Sequence, residues 1–534
     1  MRRRFLVLAA AALGATLATA LVGGWRAGMP HHYWADGFFR LLADLVCERF
    51  DRWAPWALGA AAALALWPRW PVPRGLVRAA LVLLVVVVGL RAAVALDAWR
   101  ASRGPNLLLI SIDTLRADRL GAYGYDLPTS PAFDRRLAAE GVTFTDVYSQ
   151  SPKTTPSHMT MLTGLYPCVH GVELWWGTAP AHRLNPAVHT LAEVLREAGY
   201  ATAAFTGGAH LDHTRGFDQG FQVYEDVGND TQLGHALRWL KRHHRRRFFL
   251  FFHTYRVHDP YVPPPALVQQ FGEGYRGPVL DAVNRLRADA SAYEERSRLF
   301  WASVDPHDPA AVRFVSRLYD AGVRDMDDVI VNGLLDALER FGLARDTLVV
   351  FTSDHGEAFG EHGHFLHDDV YRGTVHVPLV LRFPGRLPAG RRVAARARIV
   401  DVTPTILDLL DLPPEPDVQG RSLVRLIDGG GVGLDAVSEH RVPGSDAGEV
   451  CLRRGALGYV VDGTGEALFD LAADPGETTN LATSRPEAMA ALRTEVAAWR
   501  AECARLGAIL GPRDAGVAPS AERVRQLRAL GYVQ

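Results

Sequence analysis

Cysteine is scarce in this chain, with four among 534 residues. Cys47, Cys168, Cys451 and Cys503 stand far apart without Cys-x-x-Cys spacing, which argues against a zinc knuckle and against a disulfide framework. They leave room for a single bridge, Cys451 with Cys503, while Cys168 reads as a buried thiol with no basic partner to activate it. An excess of charge is absent too. The 58 basic and 59 acidic side chains nearly cancel, and no sustained one-sided run supplies the footprint of a nucleic-acid binder. Internal repeats are also missing, which argues against a solenoid. The length exceeds that of a binding module and allows more than one structural unit.

The first hundred residues differ from the rest. "MRRR" is followed over 5–25 by the uncharged run "FLVLAAAALGATLATALVGGW", which just spans a hydrocarbon core of about 30 Å. Two further apolar blocks follow, "WAPWALGAAAALALW" at 53–67 and "GLVRAALVLLVVVVGLRAAVAL" at 75–96. "ATA" at 18–20 could pass for a signal-peptidase site, but the later blocks favour three membrane spans over cleavage. With the arginines of "MRRR" and "PRWPVPR" on the cytoplasmic side, three crossings deliver residue 100 onward to the periplasm or the cell exterior.

From residue 105 short apolar runs alternate with amphipathic stretches, the pattern of an α/β fold with a large, mostly parallel sheet covered on both faces. "NLLLIS" (106–111), "ATAAFT" (201–206), "FFLFFHT" (248–254), "TLVVFTS" (347–353) and "PLVLRF" (378–383) read as buried strands. "SPAFDRRLAAEG", "TLAEVLREAG" and "RDMDDVIVNGLLDALERFG" have helical spacing, each closed by a glycine suited to a left-handed cap. Ligands gather beyond the carboxyl ends of such strands. There the sequence places Asp113, the Asp354-His355 pair and His258.

Seven segments in order resemble the sulfatase branch of the alkaline-phosphatase superfamily. They are "NLLLISIDTLRADRLGAYGY", "TTPSHMTMLTGLYPCVHGV", "HDPYVPP", "DTLVVFTSDHGEAFGEHGHF", "VPLVLRFPG", "DVTPTILDLL" and "LFDLAADPGETTNLA". The resemblance implies an alkaline-phosphatase-like sandwich with a catalytic domain over 104–430 and a small C-terminal sheet subdomain over 431–511, preceded by the membrane region 1–103. A tail over 512–534 reads as an amphipathic helix that docks back on the body.

Asp113, Asp354 and His355 form a mixed oxygen and nitrogen set for one divalent ion, Zn²⁺ or Mn²⁺ by preference, with Ca²⁺ or Mg²⁺ admitted. Thr154 completes the set as nucleophile and as a ligand, its hydroxyl activated by the ion. Relatives carry a cysteine or serine there, oxidised to formylglycine in a Cys/Ser-x-Pro-x-Arg context. Thr154 and His158 break both ends of that context, so no formylglycine is expected. Sulfatases also show a second aspartate where this chain has Thr114, and an asparagine where it has His355. Gly207 stands where the family's anion-binding lysine falls, leaving a positive charge missing that His210 replaces in part. His258 is expected to contact the substrate anion and His367 to stand where relatives have lysine or histidine, and one of the histidines protonates the leaving group.

Other readings are plainer. His170 reads as a turn or supporting residue, and the histidines of "EHGHFLH" as single-metal surroundings in preference to a second metal site. "KRHHRRR" (241–247) reads as a helix end whose cations suit the dipole. The expectation is a membrane-anchored, metal-dependent hydrolase of sulfate or phosphate esters, glycan or lipid substrates included. The alternative is a transferase moving a phospho-headgroup to a cell-envelope acceptor, and the third reading is a catalytically silent relative that binds glycans or lipids.

Overall fold

The run "NLLLIS" is too uniformly apolar for a strand with one wet face, and it forms the middle of the molecule. In a computed structural model of the chain the described residues are 104–173, 182–226, 228, 231–289, 291, 293–441 and 448–510. The three proposed spans and the tail 512–534 lie outside them. Among the described residues no helix is long and apolar enough to cross a membrane.

Eight strands form one sheet: β1 (Asn106–Ile112), β2 (Val142–Phe144), β3 (Ala201–Thr206), β4 (Val223–Asp226), β5 (Phe248–Thr254), β6 (Thr347–Thr352), β7 (Leu379–Arg382) and β8 (Arg391–Val393). Their spatial order is β8-β2-β7-β6-β1-β5-β3-β4. Every residue of β1, β5 and β6 is buried, as in strands covered on both faces. Alternate side chains serve opposite faces. Leu107 and Leu109 join one core, while Leu108, Ile110 and Ile112 join the other. The five strands read from the sequence are all present, but β7 runs antiparallel to its neighbours β2 and β6. Between β6 and β7 the chain has no helix longer than a single turn. Without a crossover helix the returning strand must run back.

The helices that matter to the site are α1 (Thr154–Thr163), α2 (Pro167–His170), α3 (Leu191–Glu197), α4 (Gln232–His243), α5 (Tyr293–Trp301), α6 (Pro309–Met326), α7 (Asn332–Arg340) and α8 (Pro486–Ile509). α3 opens with a capping box between Thr190 and Glu193. α6 starts well before the stretch read as helical, because Asp308 caps the Ala310 N–H at 2.9 Å and Pro309 takes the first helical position. Lys241, Arg242 and His243 fill the last turn of α4, in keeping with the dipole reading. Gly199 and Gly342 adopt left-handed caps as expected. Gly141 does not; it is glycine because a Cβ there would lie 2.6 Å from the Leu381 carbonyl oxygen.

A second, antiparallel sheet follows: β9 (Ala436–His440), β10 (Glu449–Arg454), β11 (Leu457–Asp462) and β12 (Gly465–Asp470), in that order. "LFDLAADPGETTNLA" supplies its outer strand and a turn from which Glu477 reaches the fully buried Arg453 at 3.0 Å. The bridge for which the sequence left room, Cys451 with Cys503, is not formed, and Cys168 is not the free thiol it was read to be. Cys168 of α2 pairs with Cys503 of α8, their Cα atoms 5.8 Å apart, and Cys451 is a free, buried thiol. The pleat explains the error. Val450 and Leu452 of β10 face the core that contains Cys503, so Cys451 between them faces the opposite side, against Val370 and Phe469.

Candidate active site

β1, β5 and β6 run parallel with Ser111 beside both His253 and Thr352. The residues just beyond those positions therefore meet at one rim. Asp113 follows β1, Asp354 and His355 follow β6, and ligand atoms of all three lie within 4.8 Å of one another, fully buried. α1 points its amino end at the same place, where the dipole favours negative charge. Its first residue is Thr154, whose Oγ1 lies 3.3 Å from His355 Nε2.

Local chemistry fixes each group. Gly356 must be glycine, since a Cβ would sit 2.2 Å from the Gly373 carbonyl oxygen. Its own carbonyl accepts from His355 Nδ1 at 2.9 Å, so in the neutral ring Nε2 carries the lone pair and faces Thr154 and the carboxylates. Burial first, then the charges of His367, His258 and Lys153, push His355 well below its ordinary value and keep it neutral. Thr114 takes a left-handed backbone, φ 57°, which a β-branched residue adopts only when held. Three bonds hold it: its N–H to Asp354 Oδ1 at 3.3 Å, its hydroxyl to the Asp113 carbonyl at 2.7 Å, and the Tyr319 hydroxyl on its own carbonyl at 2.7 Å.

Asp113 Oδ1 and Asp354 Oδ2 are buried with no hydrogen-bond partner. Burial raises Asp113 to about 7, and burial together with Asp113 raises Asp354 far above the carboxylate range. Two such acids do not both ionise unaided. Orphaned oxygens from both, with one imidazole lone pair beside them, make a donor set that fits a divalent cation.

Behind this set lie two histidines that the sequence did not single out as site groups. His158 occupies the family's arginine position, donates Nδ1 to the Thr154 carbonyl at 2.9 Å and accepts from Ser111 through Nε2 at 2.8 Å. Burial pulls it down to about 4, so it brings no charge. His253, the last residue but one of β5, has Nε2 3.2 Å from Asp113 Oδ2 and is lowered by burial to about 3. It sits inside the strand, so a rule that looks just beyond strand ends passes over it.

Farther along the rim, His258 donates Nδ1 to the Asp259 backbone carbonyl at 2.9 Å, with Oδ1 of that residue 3.1 Å away. Burial opposes a charge on this ring, but Asp259, Asp113 and Glu357 outweigh it and hold the value up to about 10. His367 packs 4.5 Å from the His355 ring and 5.4 Å from that of His258. Its Nδ1 is 2.9 Å from Glu357 Oε1, and Glu357 Oε2 accepts from the Tyr261 hydroxyl at 2.8 Å. His210 lies near enough for the charges of His258, His367 and Lys153 to add to the burial that depresses it. The positive charge absent at Gly207 is present at Lys153, a buried side chain ion-paired with Asp368. Glu357, Asp259 and Lys153 gave no signal in the sequence, since nothing there reveals which way such side chains turn.

The family profile of sulfatases matches residues 105–412. The chain belongs to the sulfatase family. Over 468 residues it is 26% identical to mouse arylsulfatase K, covering 76% of this chain and 82% of that protein. With mouse steryl-sulfatase it shares 30% over 446 residues, 67% and 70% of the two chains, and with the choline-sulfatase of Rhizobium meliloti 28% over 436 residues, 71% and 82%. Among solved structures, one in complex with its substrate D-glucosamine-2-N,6-O-disulfate superposes with TM-score 0.60 at 20% identity, covering 75% of this chain and 99% of that one. The phosphonate monoester hydrolase of Agrobacterium radiobacter gives 0.59 at 24%, covering 75% and 96%. Both share the fold.

As a sulfatase the chain is an ester hydrolase, and its rim is rich in histidines that burial keeps neutral. His170 is a support: its Nδ1 accepts from the Val172 N–H at 3.1 Å, leaving Nε2 to reach the Pro156 carbonyl and the Thr160 hydroxyl of α1. His362 stacks on Tyr371 at 3.8 Å. Among the described residues, Asp113, Asp354 and His355 are the only group placed to hold a metal.

Proposed function

We propose that this sulfatase cleaves sulfuric esters with Thr154 as an unmodified nucleophile, at a site where Asp113, Asp354, His355 and Thr154 hold one divalent ion. The observation that carries the reading is the Thr154 hydroxyl, 3.3 Å from the His355 nitrogen among two carboxylates with orphaned oxygens. When bound, the ion would lower the pKa of that hydroxyl so that its proton is lost to solvent, and would offset charge on the ester oxygens. Thr154 Oγ then attacks sulfur in line. The bond from sulfur to the ester oxygen breaks, its electron pair stays on that oxygen, and His258 Nε2 delivers the proton that makes it an alcohol. His258, now neutral, takes a proton from a water that attacks sulfur, and the Thr154 oxygen leaves with its electron pair. Sulfate and the starting site are restored. Lys153, His210 and His367 line the space where the anion would lie.

The catalytic region is proposed to work outside the cytoplasm, tethered through residues 5–96. The Cys168–Cys503 bridge supports that placement, since such bonds persist in oxidising compartments. The test is metal analysis of the purified protein, joined to the intact mass of the 151–167 peptide after brief exposure to a sulfate ester. A sulfated peptide that disappears in Thr154→Ala is expected. Turnover by the Thr154→Ala variant at the full rate would refute the nucleophile. Phosphonate and phosphodiester esters in the same assay separate sulfatase from phosphoryl chemistry, and a product joined to an added alcohol would reveal transfer.

A further inference from the structure

Helix α5 lies in the stretch between "HDPYVPP" and the segment around Asp354, where none of the family's segments fall. Tyr293, Ser297 and Trp301 are spaced by four residues, so they share one face. All three donate to a single carboxylate. The Tyr293 hydroxyl reaches Asp259 Oδ1 at 2.7 Å, and the Ser297 hydroxyl and Trp301 Nε1 reach Oδ2 at 2.5 and 3.1 Å. His258 lies against the same carboxylate, its Nδ1 3.1 Å from Oδ1 while donating to the Asp259 backbone carbonyl at 2.9 Å. Three donors on a buried carboxylate restrain its rotation, and with it the ring whose charge it faces.

We propose that α5 is a positioning device for His258: it holds the Asp259 carboxylate against Nδ1, and so fixes the charge and orientation of the ring that leave Nε2 to serve the departing alcohol. The proposal rests on the reading of His258 as the proton donor. Asp259 touches no reacting atom. It acts through the imidazole, as the second carboxylate of a hydrogen-bonded His-Asp pair does. A consequence is that proton delivery depends on the docking of a helix outside the family's motifs.

The charges facing His258 are Asp259 beside it, Asp113 beyond β1 and Glu357 beyond β6. The rings of Tyr255, Tyr293 and His367 surround it, and His210, His253 and His355 feel its charge. Removing the Asp259 charge therefore lowers the pH at which His258 loses its proton.

The test compares an alkyl sulfate, whose departing oxygen needs a proton, with nitrophenyl sulfate, whose departing oxygen needs little help. Turnover of both is followed from about pH 5 to about pH 11. Asp259→Asn is expected to lower kcat on the alkyl ester about tenfold to a hundredfold more than on the nitrophenyl ester, and to move the alkaline limb to lower pH. Added to His258→Gln, it should cause no further selective loss. A loss equal on both esters, or undiminished in the His258→Gln background, would overturn the positioning role while leaving the proton donor intact. His258→Gln without any preference between the esters would remove the donor itself, and the proposal with it. Should Asp259→Asn fail to fold, Tyr293→Phe and Trp301→Phe each delete one donor and should shift the ester ratio in the same direction, by about threefold. An unmoved ratio in both would overturn it.

Discussion

Two sides of the rim are built on opposite principles. On one, Asp113, Asp354 and His355 are buried with two oxygens lacking any partner, and the histidines behind them are neutral. On the other, the Asp259 carboxylate accepts from three side chains of α5 and faces His258, whose protonated form it favours. The first side is incomplete as protein, and its donor set fits a cation. The second is finished by the chain itself. The difference shows how one rim serves two needs of an ester cleavage: a place for positive charge to be added, and a proton held in advance.

The comparison breaks most visibly at Thr154, which stands beside His355 on the first side. Thr154→Ala should lower turnover by at least about 10⁴-fold, with Thr154→Ser recovering part of it, as steady-state rates would show. Next comes the ion. At a concentration a hundred times its Kd, a divalent cation should add about 2.7 kcal/mol of stability, read as a rise in Tm. Asp354→Asn should lose most of that rise, whereas His258→Gln should keep it; equal loss in both would mean the sides are not separate.

Substituting Glu357 tests how far His367 belongs to the finished side. Glu357→Leu is expected to lower kcat/KM by about tenfold or more, with Glu357→Gln rescuing it, because an amide still bonds the ring. The pH dependence of stability gives a further contrast. His258 is held up to about 10 when folded against about 6.5 unfolded. A raised value stabilises fully below the unfolded pKa and is lost as pH rises through the folded one. Thermal melts should show a downward slope from about pH 6.5 to about pH 10, which His258→Gln should flatten. A cation on Asp113 would draw the upper end of this window lower, since Asp113 is one of the supports. The smallest effect on turnover is expected from Cys168→Ser with Cys503→Ser. Loss of the bridge should lower stability by about 2–5 kcal/mol while rates on folded protein change little, since the bridge lies beyond the far end of α1.

The sequence by itself determined the five middle strands of the main sheet, the parallel core and the gathering of Asp113, Asp354 and His355 at one rim. Continuous apolar runs must be buried on both faces, and a polar residue closing such a run has only the rim to occupy, so Asp113, Asp354 and His355 were legible. Thr154 was legible through its place in a resembling segment. What only tertiary structure decided was direction and distance. The antiparallel course of β7, the Cys168–Cys503 pairing, the Lys153 charge and the clasp of α5 on Asp259 depend on contacts between residues remote in the chain. Written in a line, Cys168 and Cys451 are equally able to pair with Cys503. In the fold, the pleat of β10 turns Cys451 to the other face, and no local pattern around α8 could reveal it.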